Sequence, residues 1–423
     1  MKNIKQSLLS LTTHKVNNKV TMILTSIKKP LYIGLFNLLL TLCISCTDKH
    51  SEKQTTSTVN RAIDFAIDSI TISVDSNFLN LYDTYSVITV AGKPTFYGCN
   101  HKRHSIDILS LDGDGQRNRI VLQKEGPEGI GNLSSIHVQS PDSIFISNQT
   151  SFYLVSGEGR ILNKWNVEAD NIAFFSKNAL HTTAETPISY DSHKRTIYAK
   201  IVPYDINISG QKNYQMPILG KYNLDNKTFT ALPVYFPKAY QEKYKGFLDK
   251  VKMSNSYDKG KLKRIYFAFG AVSSLAYYDV EKEQYILTEA PSLITDNEAP
   301  SLAWSDENNM DKKMRHFIYN VFFGNTVYEA EKGIGFRLHL DKLPSDVTDL
   351  RNQILKRKFI LAVFDSSHHI LKEVDFPIRN VAREFAFLAN GKLYIPMFSI
   401  NPKDEKEDRR KFLILDIKHE QSN

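Results

Sequence analysis

The sequence predicts an all-β chain folded as a six-bladed β-propeller of four-stranded antiparallel blades, closed by an N-terminal strand and carrying short helical insertions. Three observations predict it. One unit recurs along the chain: an apolar strand, a turn rich in Asp, Gly or Asn, and a second strand. The last copy has no return strand, while an unused strand stands ahead of the first copy. Helical periodicity is confined to two short stretches. At 42% hydrophobic and 24% charged residues, the composition is that of an ordinary globular protein, which excludes disorder and collagen-like repeats.

From the N-terminus, residues 1–45 read as a signal segment. Lys28 and Lys29 precede a 12-residue apolar run, LYIGLFNLLLTL, at 31–42. Twelve helical residues span about 18 Å, short of a hydrocarbon core of roughly 30 Å. The run therefore has the size of a signal-peptide core. Ser45 and Cys46 follow, with Leu42 four positions before Cys46 and Cys43 where a lipoprotein signal usually carries Leu. The pattern looks like a bacterial lipoprotein signal, with Cys46 as the lipidated residue. An ordinary signal peptide cut nearby, or an uncleaved anchor, are the alternatives. Residues 1–21 are polar, and Met22 gives a more compact start.

Residues 46–59 are expected to be a flexible tether, because 47–58 contain no apolar residue and cannot pack. The propeller domain is assigned to 60–423. Of the three cysteines, Cys43 would leave with the signal and Cys46 would carry lipid, which leaves Cys99 without a disulfide partner. The net charge of +8 is concentrated in the signal, where six lysines (2, 5, 15, 19, 28 and 29) meet no acid. The remainder is near neutral and lacks the basic footprint of a nucleic-acid binder.

In the body, strands at 70–74 and 87–90 alternate, and the hairpin copies follow. They pair 105–111 with 119–122, 152–155 with 161–165, 219–222 with 229–232, 275–278 with 285–287, and 359–364 with 370–374. The strand at 412–416 stands alone. Further strands precede the hairpins, as at 135–138 with 143–146 and at 385–388 with 393–397. Asn390-Gly391 marks a tight turn between the last two. Uneven spacing is read as insertions in blades three and five rather than an extra blade. The periodicity at 237–253 predicts a helix with Tyr240, Tyr244, Phe247, Leu248 and Val251 on one face, and 308–317 a second. Closure requires 70–74 to pair with 412–417, since an open ring leaves two unpaired edges. An outer-membrane barrel fits less well, because the strands lack continuous lipid-facing alternation.

Candidate chemistry is sparse. Asp112-Gly113-Asp114-Gly115 begins like a calcium loop, but Arg117 and Gln123 stand where that loop needs Gly and Glu. Cys99, His101 and His104 are borderline metal ligands without a fourth, beside Lys102 and Arg103. His368-His369 lies in a hairpin turn. No Gly-x-Ser-x-Gly, HExxH, Walker A loop or GxGxxG after a strand is present. Paired carboxylates for glycoside hydrolysis are decided by spatial separation and stay open. Tyr235-Phe236, Tyr277-Tyr278 and Phe322-Phe323 read mainly as core, or as faces for sugar or peptide stacking. No catalytic residue, metal site or cofactor is assigned.

The run Lys124-Glu125-Gly126-Pro127-Glu128-Gly129-Ile130-Gly131, then Pro141-Asp142-Ser143-Ile144-Phe145-Ile146, then Gly157-Glu158-Gly159, resembles the six-bladed propeller lipoproteins of Bacteroidetes, in particular the DUF4221 family. The family's usual Gly-Pro-Gly stands here as Gly126-Pro127-Glu128-Gly129. The resemblance implies a fold and an address in the cell envelope, and no activity. Two functions are carried forward. One is a monomeric, lipid-anchored envelope protein whose propeller binds an unknown ligand or protein partner. The other is a propeller enzyme, a hydrolase or lyase, working at the central channel.

Overall fold

A computed structural model describes residues 63–79, 81–113, 116–203, 210–343, 357–378, 380–398 and 409–419. The signal segment, Cys46 and the tether lie outside these residues. The chain divides into two units, Met1–Val59 and Asn60–Asn423, and every described residue belongs to the second. No helix among the described residues is long and apolar enough to cross a membrane.

Six antiparallel sheets follow one another along the chain. A first strand, β1 (Ile63–Ser73), stands ahead of the first blade. Blade one is β2 (Tyr85–Val90), β3 (Lys93–Asn100), β4 (Ser105–Ser110) and β5 (Arg117–Val121). Blade two is β6 (Ser135–Ser140), β7 (Ser143–Ser147), β8 (Phe152–Val155) and β9 (Ile161–Trp165). Blade three splits its inner strand into β10 (Asn178–Leu180) and β11 (Ser189–Asp191), both paired to β12 (Thr196–Pro203), then β13 (Leu219–Asn223) and β14 (Phe229–Leu232). Blade four is β15 (Val251–Asp258), β16 (Lys261–Phe269), β17 (Leu275–Asp279) and β18 (Gln284–Thr288). Blade five is β19 (Phe322–Glu329), β20 (Ile334–Leu340), β21 (Phe359–Asp365) and β22 (Ile370–Phe376). Blade six is β23 (Phe387–Ala389), β24 (Lys392–Met397) and β25 (Arg409–His419).

The fourth strand of blade six is β1. It pairs antiparallel with β25 over its whole length, Ile70 opposite Phe412 and Ser69 opposite Leu413. The expected closure between 70–74 and 412–417 is therefore the observed one, and it extends seven residues further toward the N-terminus than the alternation alone suggested. Each recurrent hairpin of the sequence is the outer pair of one blade. The long spacings are connections and not a seventh sheet.

Strand direction sorts the connections onto two faces. Blade-to-blade connections and those between second and third strands share one, the loop face. Turns between first and second and between third and fourth strands share the other, the turn face. Asn390 (φ 48°) and Gly391 (φ 70°) on the turn face have the successive positive φ values of a type I′ hairpin. On the loop face lie α1 (Val167–Asp170), α2 (Ile172–Phe175), α3 (Lys238–Glu242) and α4 (Met310–Tyr319). The helix expected at 237–253 is cut short. After Glu242 the chain is extended at Lys243, Gly246 takes φ 58°, and β15 starts at Val251. Burial of Tyr240, Tyr244 and Leu248 in the core wins over continued helical periodicity. The second helix forms as expected, with the Asn309 side chain capping Lys312 N.

The blades pack face to face through apolar side chains such as Ile265, Phe267, Leu338, Leu361, Leu393 and Leu415, all fully buried. Each such burial contributes about 1.5–3 kcal/mol. The strand entering blade one is fixed by a polar device. Asp107, fully buried, accepts from Tyr82 Oη at 2.5 Å, Asn100 Nδ2 at 2.8 Å and Arg119 Nε at 2.5 Å. Arg119 and Arg410 donate onward to main-chain carbonyls of Asn77, Phe78 and Leu79. The link from β1 into β2 is thereby tied to blade one and to β25 at once.

Deleting residues 63–73 should leave β25 with an unpaired edge and abolish the single cooperative thermal transition, read by circular dichroism. A deletion variant that stays soluble and melts cooperatively at the wild-type temperature would overturn this account of closure.

Candidate functional site

The inner strands carry short polar side chains where neighbouring blades meet at the axis. Ser86 Oγ accepts from Val138 N at 3.1 Å, joining blades one and two. Ser135 Oγ accepts from Ile188 N at 2.9 Å, joining two and three. Ser189 bonds Asn255, whose Nδ2 also donates to Ile188 O at 3.3 Å, joining three and four. Ser254 Oγ donates to Thr326 O, joining four and five. Asn325 Nδ2 donates to Ala386 O at 2.8 Å, joining five and six. Tyr85 Oη donates to Phe385 O at 2.9 Å, joining six and one. Every successive pair of blades is thus stapled by a side chain from an inner strand. Serine and asparagine suit the task because they are short enough to let the strands approach and polar enough to reach a neighbouring strand.

This circle divides the axis into layers. Toward the turn face, His137, Tyr190 and Tyr257 fill it. His137 stacks on Tyr257 with ring centroids 5.4 Å apart, and its Nδ1 lies 3.4 Å from Tyr257 Oη. Burial pushes the His137 imidazolium down to a pKa of about 4, so the ring is neutral at pH 7. Toward the loop face, charges from three blades gather at the mouth. Lys252, the second residue of β15, is buried and sits 3.5 Å from Glu185 of the loop before β11. Arg383, in the short helical turn before β23, lies 4.0 Å from Glu384. Burial lowers the Lys252 pKa, Glu185 and Glu384 oppose that shift, and Arg383 adds to it. Both pairs are longer than a close charge-assisted hydrogen bond. Glu384 Oε2 is buried without a hydrogen-bond partner.

Two clefts lie away from the mouth. One, of 180 Å³, opens on the blade-three wall that faces blade four at the turn face and includes Lys194, Tyr198 and Lys221. The other, of 440 Å³, lies on the loop face beside α1 and α2 and includes Asn166, Glu168, Ile172 and Phe175.

The residues singled out by the sequence take structural places. Cys99 is fully buried in β3, and burial pushes its thiol pKa up. His101 turns outward to Asp83 at 3.3 Å, and His104 Nε2 lies 3.2 Å from Gln123 O. Among the described residues, no three His, Cys, Asp or Glu are placed to hold a metal ion. Asp112 pairs with Lys93 at 2.9 Å and accepts from Ser110 Oγ at 2.5 Å, while Asp114 and Gly115 lie outside the described residues. In the run 124–131, the N–H groups of Gly129, Ile130 and Gly131 bond carbonyls of the same loop. His368 is buried against Tyr277 at 4.8 Å and bonds Tyr266 Oη at 3.1 Å, whereas His369 is exposed. Phe322, Phe323 and Tyr278 are core.

A buried Thr295–His339–Glu373 contact has the composition of a catalytic relay but not its geometry. His339 reaches Thr295 Oγ1 at 3.3 Å and Glu373 at 3.9 Å through the same Nε2, and its Nδ1 has no partner. A relay needs the two ring nitrogens to serve different partners. Glu373 is instead engaged by Arg337, Ser292 Oγ and Leu293 N, which fasten the 289–299 connection to blade five.

Comparison with known proteins adds family and fold. The model of a domain of unknown function, DUF4221, matches residues 62–375. No curated protein matches. A crystal structure of a DUF4221 member from Bacteroides vulgatus superposes with a TM-score of 0.65 at 17% identity, covering 84% of this chain and 99% of that one. A Bacteroides fragilis protein described as exported superposes with a TM-score of 0.50 at 9% identity, covering 84% of this chain and 95% of that one. At these identities the likeness is one of fold.

Two buried histidines, one at the axis and one in the outer hairpin of blade five, yield a pH prediction. His137 and His368 both titrate near 4 in the folded chain, below the ordinary value of 6.5. The unfolded chain takes up those protons first, so their contribution is complete above pH 6.5 and is lost as pH falls toward 4. Each should contribute a slope of at most about 1.4 kcal/mol per pH unit in that window. Urea midpoints followed from pH 7 to 4.5 should fall more steeply in wild type than in His137→Phe. Parallel curves would refute the assignment.

Proposed function

The chain belongs to the DUF4221 family, and from that premise we propose that it is an exported lipoprotein, anchored in the cell envelope through Cys46, whose propeller binds a polar, charged ligand or partner segment at the loop-face mouth. The mouth carries the reading. Two cations and two carboxylates converge there from three blades, each pair is held apart at 3.5 Å or more, and the stapled circle beneath them forms a floor. Groups held in this way have hydrogen-bonding capacity left for a ligand that presents opposite charges. The reading is of binding without turnover. The signal-like segment at 31–46 and the relative described as exported support the address.

Two experiments test it. Cys46→Ser should move the protein from the membrane fraction to the soluble fraction and abolish labelling by a palmitate analogue. Persistent labelling would remove Cys46 from the proposal. For the mouth, thermal melting of the full chain should be screened against amino acids, dipeptides, dicarboxylates and diamines. At least one should raise the melting temperature of wild type and leave Lys252→Met and Arg383→Met unmoved. A panel without effect, or equal shifts in the variants, would overturn the mouth as the binding site.

A further inference from the structure

The charges at the mouth are not equally enclosed. Lys252 keeps 7% of its side-chain surface exposed and Arg383 24%, against 37% for Glu185 and 36% for Glu384. The cations are accessible but deeper, and the carboxylates stand nearer the rim. A lysine this buried is ordinarily paired at close range, whereas Glu185 stands 3.5 Å from Lys252. The Arg383 guanidinium, with five N–H donors, reaches Glu384 only at 4.0 Å. Burial lowers the pKa of Lys252 and of Arg357, and the charge of Arg383 adds to both shifts. Positive charge is thus crowded where water is scarcest, and an anion between Lys252 and Arg383 relieves the crowding.

The backbone holds these groups in place. Met253 N donates to Glu185 O at 2.8 Å, so the turn carrying Glu185 is fastened to the strand carrying Lys252. That turn is closed on itself by the Thr183–Thr186 bridge and by Thr186 Oγ1 donating to His181 O at 2.6 Å. Arg383 O accepts from Ala386 N at 3.2 Å, and Ala386 O accepts from Asn325 of blade five. A site fixed in this way loses little freedom on binding. Its spacing selects the ligand. Lys252 Nζ and Glu185 Oε1 are 3.5 Å apart. Adjacent opposite charges in the site match adjacent opposite charges in the ligand, and an α-amino acid carries its carboxylate and its ammonium on one carbon. The planar guanidinium suits the carboxylate. A diamine offers Lys252 and Arg383 nothing, and a dicarboxylate offers Glu185 nothing.

Resting on the reading of the mouth as a binding site, we propose that it takes the head group of a free α-amino acid, carboxylate inward against Lys252 and Arg383 and ammonium outward against Glu185. The test is calorimetry on the full chain with the common amino acids, with the N-acetyl and amide derivatives of those that bind, and with putrescine, succinate and inorganic phosphate. At least one amino acid should bind, and both of its derivatives should bind about tenfold more weakly or worse, a loss of ~1.4 kcal/mol or more. These comparisons use the unaltered chain, so misfolding cannot imitate them. Glu185→Gln should weaken the amino acid about tenfold and leave its N-acetyl derivative unchanged. Binding of putrescine, succinate or phosphate without any amino acid, or a derivative that binds as well as its parent, would overturn the inference and leave the mouth a binding site. No binding across the whole panel, or affinities unchanged in Lys252→Met, would overturn the reading of the mouth as well.

Discussion

The antiparallel pairing of β1 with β25 is the constraint on which the rest of the molecule depends. A ring of blades gains its inter-blade contacts only when the last blade stands beside the first, and blade six has three strands of its own. β1 completes that sheet and then runs straight into blade one, so one segment serves two blades. The Asp107 network makes the join rigid at the point where the chain changes blade. The six axial staples also presuppose closure, because the Tyr85 to Phe385 bond links the two ends of the blade series. Each staple is worth only about 1 kcal/mol net. Their effect is geometric, fixing the radial position of every inner strand.

Polar groups elsewhere in the interior serve the long connections in the same way. Lys245 is fully buried and donates to Glu298 at 2.8 Å and to Ala299 O at 2.7 Å. Arg357 donates to the carbonyls of Asp341, Phe317 and Asn320, and burial lowers its pKa to about 9. It thereby satisfies acceptors at the end of α4 that the helix itself cannot. Arg337 does the same for Ser273 and Ala290 while holding Glu373. Removing one member of such a set would strand a buried charge, which is costlier than losing a contact. The loop face is accordingly a set of long segments on fixed posts, and the mouth charges inherit that fixity.

Much of the architecture was legible because strand periodicity and turn chemistry are local. The outer hairpins, the Asn390-Gly391 turn and the need for a borrowed strand all follow from residues near one another in sequence. The candidate site was not legible, since its members are distant. Glu185, Lys252 and Glu384 come from three blades, and no spacing joins them. The staples left a faint trace, a Ser or Asn in most inner strands, but Ser86 and Ser135 look like any exposed strand serine until the ring brings a neighbour's backbone to them. The helix at 237–253 was over-read because its apolar spacing served a bent core segment.

The path of β1 also sets a polarity for the molecule. β25 runs from the loop face to the turn face, so its antiparallel partner begins, at Ile63, on the turn face. β1 therefore enters the ring from the side of the short turns and leaves it toward blade one on the loop face, so the segment that closes the last blade also sets the direction in which the first is laid down.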